Sequence, residues 1–292
     1  MKKLRVVVLG WMIAAWGWAA PAGATPACAK PACAEAPSRV VTLGGSVTEI
    51  VYGLGQGARL VGDDLSSLYP EAATRLPRVG YYRAVPVEGV LALRPDLVLA
   101  SEQAGPPNAL KRLADVGVRV VTVPDAPSIE SLQARIRAVA QALGVQAAGE
   151  RMVADVTREM ERARAVPATR ARAILLINRS GTPQAAGQGT AANEIMTQAG
   201  LVNVLQAQQG YKPVSAEAVA ALAPELIVVT ATSLQATGGI DALLRLPGLA
   251  ATPAGAHRRV IVMDDLLILG LGPRLPLALT QLKQEAARAM GH

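Results

Sequence analysis

The sequence predicts an α/β protein of two similar lobes with mainly parallel sheets and a helical connection between them. Three observations carry that reading. Short β-branched runs alternate with helical patterns along most of the chain, which is the signature of parallel sheets covered by helices. The chain also repeats itself: "ALRPDLVLA" (92–100) is answered by "ALAPELIVV" (221–229), each reading as a helix end, a Pro-bearing turn and a buried strand. Between the halves stand two amphipathic helical patterns.

In chain order, "MKKLR" is a positively charged start, "VVVLGWMIAAWGWAA" an apolar run, and Ala22-Gly23-Ala24 a small-residue cleavage site. Residues 1–24 therefore read as a cleaved signal peptide that sends the chain out of the cytoplasm. The apolar run is short for a membrane span, so a retained anchor is the weaker alternative. Residues 25–38 read as a flexible Ala/Pro-rich segment holding both cysteines, Cys28 and Cys33. In an exported protein the two can close a small disulfide loop that ties down nothing of the core. Lipidation is the other use of a Cys here, but neither follows a Leu-Ala-Gly type of sequence. No other Cys and no nearby His completes a metal site.

Residues 39–145 form the expected N-terminal lobe, with strands at "RVVTL" (39–43), "LVLAS" (97–101) and "VRVVTV" (118–123). Ser46, with Glu49 three residues on, is expected to form a capping box opening the first helix. Leu132, Ile136, Val139 and Leu143 share one helix face, and Gly144 ends that helix. Residues 146–167 form the expected linking helix, with Met152, Val153, Val156 and Met160 on its apolar side. Its charged face suits a rigid spine between lobes, or an ordinary surface helix of one lobe. Residues 168–292 form the expected C-terminal lobe, with strands at "ARAILLIN" (171–178), "LIVVT" (226–230) and "RVIVMD" (259–264).

The repeat extends beyond its strands. "TEIVYGLG" is matched by "NEIMTQAG" and "LKRL" by "LLRL"; Glu88 and Glu217 stand 129 residues apart, four before each strand motif. Six residues before each Glu, Tyr82-Arg83 answers Tyr211-Lys212. The chain has no Phe, and its three Trp lie in the signal, so the adjacent phenols of Tyr81 and Tyr82 stand out among only five Tyr. The formal charge of +7 falls to about +4 once Lys2, Lys3 and Arg5 leave with the signal. That mild excess, without basic patches interleaved with aromatics, argues against nucleic acid and suits an anionic small ligand.

"GGSVTEIVYGLG", "VGYYR", "SEQAGPP" followed by "LKRLADVGVRVV", and "LGLGPR" together resemble the periplasmic haem-binding proteins of bacterial haem uptake. These belong to the binding-protein group that serves cobalamin, siderophore and haem importers. The likeness runs from about residue 39 to the C-terminus. The lobe pattern is common to the whole group, whereas Gly-Tyr-x-Arg with "AGPP" downstream is the haem-specific part. The resemblance implies two lobes joined by one long helix, with the ligand clamped in the cleft between them. It implies that Tyr81 ligates haem iron, with Arg83 beside the phenolate. It also implies that Glu88 and Glu217, one on each lobe, dock on arginines of an ABC importer permease. An outer-membrane haem receptor system stands upstream in such uptake, and the protein is expected to be a monomer.

The chemistry is consistent with that role. A phenol near pKa 10 ligates at neutral pH only where a metal or positive charge favours the phenolate, and ferric iron does so. Arg83 keeps its charge and suits a phenolate or a haem propionate. Tyr82 has two open uses, stacking on the porphyrin or serving as the ligand itself. Tyr211, Lys212, Arg179 and Arg274 are the second lobe's candidates for the ligand and its propionates; the arginines read equally as solvated loop residues. Many family members carry an Arg after the strand matching "LIVVT", and here "ATS" (231–233) stands instead. Of the two His, His292 is terminal, His257 sits in a polar turn, and the loop 178–193 has none. That weakens any expectation of a second ligated haem.

The rival cargo is cobalamin or a ferric siderophore on the same fold. An enzyme is not expected: no Gly-rich stretch continues into Gly-Lys-Ser/Thr, and no Ser sits in a Gly-x-Ser-x-Gly elbow.

Overall fold

The computed structural model describes residues 36–178 and 183–291. Residues 1–24, read above as a signal peptide, and Cys28, Cys33, Arg179 and His292 lie outside the described residues.

The first sheet is built from β1 (Val40–Leu43), β2 (Leu60–Asp63), β3 (Leu97–Ser101) and β4 (Arg119–Val123), in the order β2-β1-β3-β4. All pairings are parallel, with Val40 opposite both Leu60 and Leu97, and Leu97 opposite Arg119. β1 and β3 are buried at every position, as central strands covered by helices on both faces must be. β4 is an edge strand and exposes Arg119 and Thr122. The connections carry α1 (Gly45–Gly53), α2 (Val87–Ala92) and α3 (Pro107–Asp115).

The Ser46–Glu49 capping box does not form. Gly44, at φ +123°, caps α1 without a side-chain bond. Ser46 lies within the first turn and accepts from Arg135 Nη1 at 2.7 Å, while Glu49 is buried against Arg274. Two partners from distant chain positions win over the local pairing.

After β4 come α4 (Ile129–Leu143) and α5 (Gln146–Ala165). Ser128 caps α4 by accepting from Ser131 N at 3.1 Å, and Gly144, at φ +74°, ends it in the left-handed conformation that glycine adopts freely. The twenty residues of α5 span about 30 Å at 1.5 Å per residue.

The second half repeats the first with additions. Its elements are β5 (Arg172–Ile177), β6 (Gln184–Ala186), α6 (Ala191–Gln198), β7 (Val202–Asn203), β8 (Tyr211–Pro213), α7 (Ala216–Leu222) and β9 (Leu226–Thr230). Then follow α8 (Ala231–Thr237), α9 (Ile240–Leu244), α10 (Pro253–Ala256), β10 (Val260–Met263), α11 (Asp265–Leu269) and α12 (Leu275–Met290). The parallel set β7-β5-β9-β10 reproduces β2-β1-β3-β4. β6 and β8 add an antiparallel extension on the far end of β5.

A small apolar cluster fills one side of each sheet, around Val98 and Leu113 in the first and Ile227 and Leu243 in the second. The main core crosses between the halves: Ile50 of α1, Ile136 of α4, Val156 and Met160 of α5, Ile195 of α6 and Leu279 of α12 belong to one cluster. α5 thus packs on α4 from the first half and α12 from the second. Lys283 of α12 is buried and donates to the carbonyls of Ala163, Arg164 and Val166 at 2.8–3.0 Å, closing the C-terminal end of α5.

The loop before α12 grips the first half. Arg274 donates to Glu49 through its backbone N (3.0 Å) and Nη2 (3.2 Å), and its guanidinium lies 3.6 Å from the centre of the Tyr69 ring. Arg135, wholly buried on α4, donates to the carbonyl of Leu271 at 3.3 Å. Leu271 holds φ +43°, a left-handed conformation uncommon outside glycine.

Candidate ligand-binding site

Between the two halves lies a cleft of about 780 Å³, within the range of small-molecule and cofactor sites, about 300–1,000 Å³. Tyr81, Tyr82, Arg83, Gln103 and Asp125 line it from the first lobe. The second contributes Ile177, Thr190, Tyr211, Thr232, Asp265, and Leu266 and Leu269 of α11. Leu65 and Leu68 stand at the cleft with 56% and 44% of their surface exposed, an apolar rim in want of cover.

The local fold explains how the phenols arrive there. Residues 77–80 run along the end of β2, with Asp63 N bonded to Pro77 O (3.1 Å), Val79 N to Asp63 O (2.9 Å) and Leu65 N to Gly80 O (2.8 Å). Gly80, at φ +97°, then turns the chain, and a 3-10 turn over Tyr82–Ala84 follows Tyr81. The "AGPP" segment braces this turn: Gly105 N donates to Tyr82 O at 2.9 Å and Val85 N to Gly105 O at 2.7 Å. Two motifs separated in sequence are one paired structure.

Buried Asp64 fixes the same wall from behind. Its carboxylate accepts from Gly44 N (2.9 Å), Ser66 N (3.0 Å), Tyr82 N (3.3 Å) and the hydroxyls of Ser66 and Ser67. Neighbouring Gly45 has no room for a side chain, since a Cβ would stand 2.2 Å from Ser66 O.

The two phenol rings meet edge to face, with centroids 5.0 Å apart and planes at 71°. Arg83 lies over the Tyr82 ring at 5.1 Å, within cation–π range. Tyr82 packs on the apolar cluster of the first lobe, and burial pushes its phenol up to about 12, against the pull of Arg83. Burial works against the Arg83 charge, but the facing phenols of Tyr82 and Tyr81 outweigh it and raise its pKa.

Asp125 and Arg135 form a second charged pair behind the cleft, 2.6 Å apart. Burial raises the Asp125 carboxyl, with Arg135, the Ser101 hydroxyl and Arg83 pulling it back. Arg135 also donates to Pro124 O at 2.6 Å.

Of the candidates named from sequence, Tyr81, Tyr82, Arg83 and Tyr211 share the cleft. Tyr211 opens β8, in the antiparallel extension of the second sheet. Lys212 beside it is exposed and does not line the cleft. Arg274 is committed to Glu49 and Tyr69 at the lobe boundary and lines a second groove, with Leu277 and Met152. Thr232, of the "ATS" segment, lines the cleft, and its backbone N donates to Asp265 at 3.0 Å. Glu88 and Glu217 are exposed in the first turns of the matching helices α2 and α7. Hydrogen bonds to their own backbone amides hold both carboxyls low, with Arg112 at 2.9 Å assisting Glu88 and Ser215 assisting Glu217.

Asp64, Gln103, Asp125 and Arg135 were not singled out from sequence. One signal existed: Arg135 interrupts the apolar stripe of Leu132, Ile136 and Val139, and a charge on a buried helix face needs a partner.

Residues 40–267 match the model of a family described as periplasmic binding protein. Among solved structures, the chain is similar to the periplasmic heme-binding protein RhuT of Roseiflexus sp. RS-1 in apo form, at 40% identity and a TM-score of 0.83, over 86% of this chain and 98% of that one. It is also similar to the periplasmic heme-binding protein BhuT in complex with two hemes, at 44% identity and a TM-score of 0.81, with the same coverage. Curated relatives include the uncharacterized ABC transporter substrate-binding lipoprotein YvrC of Bacillus subtilis, 29% identical over 82% of this chain and 76% of that protein. A vitamin B12-binding protein of Pectobacterium carotovorum is 28% identical over 66% of this chain and 71% of that protein.

Proposed function

The chain belongs to the periplasmic binding protein family, and from that premise we propose that it captures haem in the periplasm and delivers it to an ABC importer. The observation that carries the reading is the wall of the cleft: two phenols and a guanidinium, facing apolar side chains of the other lobe. A haem is a flat apolar macrocycle with a Lewis-acidic centre and two carboxylates, and this set offers something to each part. The similarity to solved heme-binding proteins at 40% and 44% identity supports the same cargo.

Tyr81 is the iron ligand in this proposal. Tyr82, partly buried against the apolar cluster of its lobe, serves as a wall for the porphyrin. Arg83 favours the Tyr81 phenolate or pairs with a propionate. Tyr211 approaches the ligand from the second lobe. Arg179 is the second lobe's remaining candidate for a propionate; Lys212 stands outside the cleft lining, and Arg274 is assigned to the lobe boundary instead.

Residues 1–24 export the chain and are removed, and residues 25–38 are the N-terminal segment ahead of the first lobe. Residues 39–145 and 168–292 are the two lobes, joined by the helix of 146–167. The protein works as a monomer without enzymatic activity, downstream of an outer-membrane haem receptor. It docks on the permease through Glu88 and Glu217, whose exposure at equivalent helix starts on the two lobes supports that use.

Hemin titration of the signal-free protein tests the proposal. Wild type is expected to give a saturable Soret band with a phenolate-to-iron charge-transfer band, and Tyr81→Phe to lose the latter. If Tyr82→Phe loses it instead, the ligand is Tyr82. The relationship to vitamin B12-binding proteins favours cobalamin as the second reading; cobalamin that displaces hemin, or binds where hemin does not, would establish it.

A further inference from the structure

Arg83 faces the cleft on a long, exposed side chain, yet it is held in one place. Its Nη2 donates to Gln103 Oε1. Gln103 cannot turn its amide without loss, because Nε2 at the other end donates to the backbone carbonyl of Asp125 at 3.2 Å. Its backbone N is fixed as well, donating to Ser101 Oγ at 3.0 Å, and that hydroxyl donates to Asp125 Oδ2. Asp125 is paired in turn with Arg135, which is wholly buried and reaches Ser46 Oγ and the carbonyl of Leu271.

We infer that Gln103 is a positioning residue for the ligand: it fixes the Arg83 guanidinium beside Tyr81 and Tyr82 before any ligand arrives. The inference rests on the haem reading above and goes beyond it. A free arginine gives up much rotamer freedom when it is immobilised on a ligand. Here that freedom is already restricted by a support chain rooted in the interior of the lobe. The chemistry of the support is specific. A carboxylate at 103 would hold the guanidinium equally well but would neutralise it. The neutral amide oxygen of Gln103 holds Arg83 and leaves its charge for the phenolate or a propionate.

Gln103 is exposed, so its replacement leaves the core intact. The test is a cycle of hemin affinities for wild type, Gln103→Leu, Arg83→Ala and the double variant, with Gln103→Glu alongside. Gln103→Leu is expected to weaken hemin binding about three- to tenfold, the effect of freeing one long side chain. It should keep the Tyr81-dependent charge-transfer band, shifted in position. In the Arg83→Ala background the same replacement is expected to change nothing. Gln103→Glu is expected to weaken binding as well, through the lost charge. Equal weakening in both backgrounds, no weakening in wild type, or tighter binding by Gln103→Glu would overturn the inference. A wild type that shows no Tyr81-dependent band at all would instead overturn the haem reading on which it stands.

Discussion

Replacing Arg274 by Met tests whether its pairing with Glu49 fastens the second lobe to α1. The Glu49 side chain is 5% exposed and that of Arg274 21%. Two contacts join them, the backbone N to Oε1 at 3.0 Å and Nη2 to Oε2 at 3.2 Å, and only the second leaves with the side chain. A hydrogen bond to a charged group is worth about 1.5–3 kcal/mol, and stripping one partner from a buried ion pair costs about 3–5 kcal/mol. The surviving backbone contact places the expected loss near the low end, about 3 kcal/mol at pH 8. Met puts a thioether where the guanidinium lay over the Tyr69 ring, so the cation–π contact, worth about 0.5–1 kcal/mol at exposed sites, leaves with the charge.

The pH dependence gives a second check. Burial raises the Glu49 carboxyl, and Arg274 opposes that rise. Without Arg274 the folded-state value climbs further above the unfolded one. A raised carboxyl stabilises least at high pH, where it must ionise in place, and takes up its proton as the pH falls. The deficit of Arg274→Met against wild type therefore shrinks between pH 8 and pH 5. Adding Glu49→Gln should recover most of it at pH 8. Urea unfolding followed by circular dichroism at both pH values measures these quantities. A deficit below about 1 kcal/mol at pH 8, the size of an exposed pair, or one indifferent to pH, would refute the reasoning.

Two further outcomes are expected. Asp63 is fully buried, and its carboxyl is raised to about 7 by burial, with Arg78 at 3.2 Å pulling it down and Asp64 pushing it up. The unfolded chain ionises first, so Asp63 costs stability progressively from about pH 4 to pH 7. Asp63→Asn should raise Tm relative to wild type more at pH 8 than at pH 5, and an equal change at both would count against this assignment. Lys283→Met leaves three carbonyls at the end of α5 without their donor. An orphaned buried group costs about 1–3 kcal/mol, so Tm should fall by several degrees, and a variant that melts like wild type would show that the lysine is dispensable.

The repeat made much of the fold legible in advance. Six strands, β1, β3, β4, β5, β9 and β10, stand where β-branched runs placed them, because apolar, branched residues pack well on a pleated, covered surface. β2 reads as "LVGD", with a Gly and an Asp in its second half and so too polar to stand out, and β6, β7 and β8 are two or three residues long. Such strands exist through pairing with neighbours, which local sequence does not record. The phenols could be singled out because aromatics are scarce here, but their supports could not. Asp64, Gln103 and Asp125 look like ordinary polar loop residues until the fold brings their partners within reach. Glu49 was misread for the same reason, since the residue that satisfies it lies 225 positions away.

The apolar cluster running from α1 through α4 and α5 to α6 and α12 gives two duplicated halves a common interior. Duplicated modules on a loose linker keep private interiors and swing apart at little expense. Here, drawing the halves apart would wet a shared surface, at roughly 25 cal/mol for each Å² of apolar area exposed. The easy motion is thus a rocking of one half upon the other about that interior, with the mouth of the cleft moving most and its floor least. The seam of the duplication, still visible in the letters of the sequence, has become the part of the molecule least free to move.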